Sequence, residues 1–274
     1  MKMNPVHASR RFAAMLAAAL SVAASNSGAA TLNALTGCTF TMNLDSAALV
    51  PYYGYRLTSF WDAAASDYTN PANTGNGLLS QLGTTEISSV NRLFDVMPIG
   101  PDPTDQPADR HVKCTSAGFG IDTDTLAGVA GAEIGLTGVQ GFYAPLWPPA
   151  GGGLVNGDFS IGFDTGRQTG GASGWYLANN IYFTMAVYDF SNLSLAFTDA
   201  DNWQLSGDLL MSPENGGMLQ GPSLNDVGGF CLGAGSYSGC GQVSVVPVPA
   251  AAWLFGSGLL AVAGSAARKK RLAQ

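Results

Sequence analysis

The chain has 274 residues, of which 36 are Gly and 11% are charged, with a formal net charge of −7. The acidic balance repels phosphate backbones and anionic lipid, which excludes nucleic acid as a partner class. Abundant Gly, frequent aromatics and sparse charge point to β structure rather than to a helical bundle.

At the N-terminus, Lys2, Arg10 and Arg11 form a positive region, followed by an apolar stretch from Phe12 to Ala24 that is too short to span a bilayer. Small residues follow up to Gly28-Ala29-Ala30. This pattern predicts a secretory signal peptide over residues 1–30, cleaved after Ala30. Its removal, together with a basic cluster at the other end, changes the electrostatics. Residues 31–245 hold five basic and 19 acidic residues, a net of −14. Such a surface favours solubility and attracts divalent cations or cationic polymers.

Residues 31–245 are enough for one large all-β domain, expected as a single antiparallel, sandwich-like ectodomain. Strand-length apolar or alternating stretches run over Phe40 to Leu44, Asp158 to Phe163, Ile181 to Phe190, Leu193 to Phe197 and Trp203 to Met211. Polar breaks at Asp189–Asn192 and Thr198–Asn202 separate the later ones, at a spacing typical of sandwiches and barrels. Leu78 to Val96 is a candidate helix, weakened by Gly83 and Thr84-Thr85. The proline-rich stretch Pro98 to Asp109 and the breaker cluster Trp147 to Gly153 are predicted loops within one domain. No 20–50-residue period marks a repeat array.

Four cysteines, Cys38, Cys114, Cys231 and Cys240, predict disulfides in an exported chain. Cys231 and Cys240 flank a short loop rich in Gly and Ser, and closing it stabilises by roughly 2.5 kcal/mol in the chain-entropy model. Cys38 with Cys114 follows by elimination. A zinc site would want CxxC-like spacing and more histidine, so no metal is assigned to these residues.

Catalytic signals are weak, and the chain is expected not to be an enzyme. Once the signal peptide takes His7 away, His111 is the only histidine left, in a locally charged segment. Gly-x-Ser-x-Gly and His-Glu-x-x-His motifs are absent from the sequence. A glycosidase would need only two acids, and Glu86, Glu133, Asp158, Asp189 and Glu214 are candidates. Asp122-Thr123-Asp124 and Asp199-Ala200-Asp201 place oxygen ligands two apart, a spacing that calcium sites use, although solvated turn aspartates are the default. No cofactor is expected beyond that calcium. Trp61, Trp147, Trp175 and Trp203, with Tyr52, Tyr53 and Tyr55, could stack on sugar rings, although core packing is the commoner use.

The C-terminal segment 246–274 is the most specific part of the chain. Val246-Pro247-Val248-Pro249-Ala250 leads into an uncharged run that ends at Ala267, and Arg268-Lys269-Lys270-Arg271 follows. At 1.5 Å per residue the run makes a helix of roughly 27 Å, near bilayer thickness, and the basic stop is retained inside. Its strongly apolar residues sum to roughly −2 kcal/mol on an insertion scale, so the anchor is weak. The order of motif, one transmembrane helix and basic stop resembles the PEP-CTERM sorting signal in its Val-Pro-Leu-Pro-Ala variant, with Val248 where the namesake motif has Glu. The resemblance covers about a tenth of the chain. It implies an exosortase-type sorting enzyme as partner, a Gram-negative host that makes exopolysaccharide, and a cell-surface or extracellular destination. It implies a structural or interaction role in that matrix. A carbohydrate-binding module or polysaccharide hydrolase carrying the same tail is the alternative.

Overall fold

A computed structural model describes residues 31–32, 37–62, 70–145 and 152–240. The predicted signal peptide with its Ala30 cleavage site, the sorting motif, the membrane span, the basic stop and Trp147 lie outside these residues. Among the described residues, no helix is long and apolar enough to cross a membrane.

In chain order the strands are β1 (Thr31–Leu32), β2 (Thr39–Leu44), β3 (Arg56–Trp61), β4 (Arg92–Asp95), β5 (Ile121–Asp122), β6 (Ile134–Gly135), β7 (Val139–Tyr143), β8 (Gly153–Gly157), β9 (Ser160–Phe163), β10 (Trp175–Asn179), β11 (Met185–Asp199), β12 (Asn202–Met211) and β13 (Asp226–Ala234). Three short helices interrupt them: α1 (Ser46–Tyr53), α2 (Gly75–Ser80) and α3 (Pro213–Met218). Each has a side-chain N-cap, and Asp45, Thr74 and Ser212 accept from the N–H groups of Ala47, Gly77 and Asn215. Such caps satisfy donors that a helix start otherwise leaves unpaired.

The chain is mostly β, as expected. Eight strands form one antiparallel sheet in the order β4-β2-β13-β12-β11-β10-β9-β6. This sheet curls until its two edges meet. Val96 bridges Leu136, Met97 N–H donates to Gly135 O at 2.8 Å, and Thr137 N–H donates to Asp95 O at 2.9 Å. A smaller antiparallel sheet, β3-β7-β8, shares the same core. The two sheets are stitched by continuous chain, since β6 runs into β7 and β8 runs into β9. Both turns from sheet to sheet occur at left-handed residues, Gly138 at φ +91° and Asp158 at φ +48°, and Asp158 N–H donates to Gly138 O at 3.2 Å. Strands that change sheets need such a bend.

The core is aromatic. Phe190 stacks on Phe230 with centroids 4.0 Å apart, and Phe40 packs on both. Phe94 joins this stack to Phe60 of the small sheet at 5.3 Å, and Tyr55 meets Phe142 edge-on at 4.7 Å. Trp175 and Trp203 are fully buried. Each large apolar side chain buried here contributes about 2 kcal/mol relative to exposure. A second cluster of Leu78, Val139, Val155 and Ile181 seats α2 against the small sheet.

The structure redraws several expected boundaries. Residues 185–199 form one strand rather than two, with a register irregularity between Ser191 and Ser194 and Asn192 at φ +48°. Ile181 to Thr184 precede that strand as a turn, and Asp158 is a corner rather than a strand residue. The helix expected over Leu78 to Val96 is only α2, capped early by Thr74, and the chain after it is irregular as far as β4.

Candidate functional site

Of the cysteine pairs, Cys231–Cys240 is formed, with Cα atoms 5.8 Å apart. The second expected bridge is not: Cys38 and Cys114 are not joined. The backbone keeps them on separate segments. Cys38 O accepts from Val96 N–H at 3.1 Å, while Cys114 N–H donates to Asp102 Oδ1 at 2.9 Å. Met97 stands between those segments, donating to Gly135 O and accepting from Thr115 Oγ1 at 2.6 Å.

Three of the five candidate acids are engaged by arginine. Asp158, buried at the sheet corner, receives Arg110 Nε at 2.5 Å on Oδ2 and Arg110 Nη2 on Oδ1. Arg110 also donates from Nη1 to Asn73 O at 2.5 Å. Burial pushes the Asp158 carboxyl above its ordinary range, and the Arg110 hydrogen bonds oppose that rise. The second cluster centres on Arg167. It donates to Asp189 at 2.6 and 3.1 Å and to Glu214 at 2.6 and 2.9 Å, and lies 5.2 Å from the Tyr176 ring centroid. Desolvation raises Asp189, whereas the guanidinium holds Glu214 below its ordinary value. These two acids do come together, on one guanidinium that donates to both. Glu86 is exposed and Glu133 half-exposed, each on a different loop.

The aspartate pairs are turn caps. Asp122 Oδ1 accepts from the N–H groups of Asp124 and Thr125 and from Thr125 Oγ1, and Asp199 Oδ1 accepts from Asp201 N–H and Asn202 Nδ2. These bonds lower both pKa values. Among the described residues no group of three or more His, Cys, Asp or Glu side chains is placed to hold a metal. His111 is exposed, and its N–H donates to Asn180 O at 3.0 Å. Of the candidate stacking aromatics, Trp175, Trp203, Tyr53 and Tyr55 are core residues, Trp61 packs on the cluster under α2, and Tyr52 is exposed.

A cavity of about 260 Å³ opens beside β8, where α2, α3 and the turn from β10 to β11 converge. Leu79, Leu154, Ile181, Met185 and Met218 supply an apolar wall. Asn156, 2% exposed, also lines it, and its Nδ2 has no hydrogen-bond partner among the described residues. The rim carries Tyr182 and Phe183, 36% and 49% exposed. Tyr182 sits at φ +64°, an uncommon conformation for a bulky residue. The turn is held there by its neighbours. Asn179 accepts from Gly157 N–H at 2.9 Å and donates to Ile181 O and Phe183 O, while Asn180 Nδ2 donates to Asp158 O at 2.7 Å. Tyr182 Oη lies 3.2 Å from Asn76 Oδ1. The Arg110–Asp158 pair thus braces the corner from which one cavity wall hangs. Nothing in the sequence pattern marks this site; its one local signal is a polar Asn inside Gly153-Leu154-Val155-Asn156-Gly157.

No protein-family model matches the chain, and no curated protein or solved structure matches it either. The site must therefore be interpreted from its own chemistry.

Proposed function

We propose that this chain is an exported cell-surface or extracellular-matrix protein, delivered by its C-terminal tail, whose sandwich-like domain works by structure and binding rather than by catalysis. The observation that carries the reading is the tail itself, Val246 to Arg271, with its motif, uncharged run and basic stop. Two further features support it. Cys231–Cys240 fits an oxidising compartment, and the net charge of −14 over residues 31–245 keeps a domain outside the cell soluble. The hydrolase alternative needs two acids with room for water or sugar between them. Arg167 clamping Asp189 and Glu214 together weighs against it. The partners are a sorting enzyme in the membrane and, at the destination, the exopolysaccharide of the matrix.

Pro247 and Pro249 favour an extended, non-helical strip at the outer boundary of the span, a form that a protease-like site can admit. The surface form in the native host should therefore lack Trp253 to Gln274. Replacing Pro247 and Pro249 with Ala should leave the precursor uncut and membrane-bound. Intact-mass measurement decides this, and a surface form that retains Arg268–Arg271 would refute the sorting reading.

A further inference from the structure

We propose that the cavity beside Asn156 binds an uncharged small molecule built of an apolar ring or short chain and one carbonyl or hydroxyl oxygen. The proposal rests on the domain alone and holds whatever becomes of the tail. Size comes first. An apolar cavity that admits benzene measures about 150 Å³, and this one is about 260 Å³, leaving room for a ring with a short acyl arm. The wall decides polarity. None of the described lining residues is charged, so an ion would lose its hydration with none of them to replace it.

Two of the polar side chains at the cavity are engaged with their neighbours. Asn179 holds the turn, and Asn76 Oδ1 meets Tyr182. Asn156 Nδ2 remains, and a buried donor without a partner is rare in native proteins because it forfeits its hydration for nothing. The terminal torsion of Asn is soft, so the carboxamide can turn its NH2 towards the cavity without moving the strand. One ligand oxygen would satisfy it. A free sugar fits worse, since its several hydroxyls would face leucine, isoleucine and methionine. The competing acceptor is internal. Gln140 lies directly across the strand pair from Asn156, and its Oε1 is also buried without a partner among the described residues.

The test uses acetophenone and ethylbenzene, which differ chiefly in the carbonyl, on the full chain held in lipid nanodiscs. Affinities come from the ligand-dependent rise in unfolding temperature, with empty nanodiscs as baseline. One hydrogen bond to an otherwise orphaned donor predicts that acetophenone binds about tenfold tighter than ethylbenzene. In Asn156→Leu that ratio should fall below one, because the carbonyl is then buried without a donor, ethylbenzene binding being kept. Leu79→Trp, which fills the cavity from α2, should abolish both while leaving the β-sheet circular dichroism unchanged. Equal binding of the two probes to the parent chain would mean that Gln140 satisfies Asn156 internally and would overturn the proposal. So would no shift with either probe, binding undiminished in Leu79→Trp, or tighter binding of the methyl glycoside of N-acetylglucosamine than of acetophenone.

Discussion

Asp158 serves two purposes at one position. Its left-handed backbone turns the chain from β8 in one sheet to β9 in the other, and its carboxylate receives a buried arginine. Taking two charges from water is costly, and the pair persists because all three guanidinium nitrogens of Arg110 are engaged, two on Asp158 and one on the Asn73 carbonyl. Asp158→Asn keeps the size and tolerates the positive φ, yet removes the carboxylate from Arg110. The expected loss is about 3 kcal/mol or more, read as a lowered thermal midpoint with the same circular dichroism at low temperature. Asn156 predicts the opposite sign. Asn156→Leu replaces an orphaned donor with apolar volume of similar size, so stability should rise by about 1 kcal/mol, checked by urea unfolding. A loss of stability there would show that the amide is satisfied in solution.

Among the elements, β11 shows how much of the fold was legible in the residues. Its first half and β12 alternate or cluster as strands should, and the turn at Thr198–Asn202 between them is where the polar break places it. The break at Asp189–Asn192 suggested a second turn, but Asp189 and Ser191 are buried inside the strand. Asp189 is tolerated there because Arg167 reaches it from a neighbouring short 3-10 turn, a partner 22 residues away that no local pattern reveals. β8 was hidden for another reason: flanked by Gly and by a Pro-Gly cluster, it reads as loop. α1 was hidden by Pro51. The cavity was illegible because its wall is drawn from α2, β8, the turn after β10 and α3.

The Arg167 clamp also makes a pH prediction at this scale, since it ties β11 to the N-terminus of α3. Glu214 has a folded pKa below the ordinary value of 4.5, so its contribution is complete above that value and is lost as pH falls through the lower one. Asp189 runs the other way, because burial raises it and its protonation in acid offsets part of the loss. Glu214 is 43% exposed, so the ion pair is screened, and Glu214→Gln should cost only about 0.5 kcal/mol at neutral pH. That gap between variant and parent should narrow as the pH falls below 4.5 and through the lower folded value, seen as urea midpoints that draw together in acid.

For the whole molecule, the decisive geometry is where the chain leaves the domain. Cys240 is bridged to Cys231 in β13. The neighbouring residues bind the start of β2, with Ser238 Oγ donating to Gly37 O at 2.7 Å and Gly239 N–H to Thr39 Oγ1 at 2.6 Å. Ser236 N–H donates to Asn202 Oδ1 at 2.8 Å, which adds the β11–β12 hairpin to the same pole. The exit point is therefore fixed to the rigid sheet rather than to a loose end. Six steps of chain separate Cys240 from Val246, a reach of at most about 20 Å even when fully extended. If the motif is cut at the membrane boundary, this pole of the domain must stand within that distance of the bilayer, and a membrane enzyme has to fit into the gap. Deleting residues 241–245 should close the gap and leave an uncut precursor although the motif, the span and the basic stop are all intact. Restoring the length with five Gly and Ser residues should restore cutting, because the prediction depends on reach and not on the deleted side chains. Intact mass of the surface fraction from the native host reads both variants. Normal cutting of the deletion would mean that the enzyme does not need the spacer, and that the disulfide pole plays no part in presenting the tail.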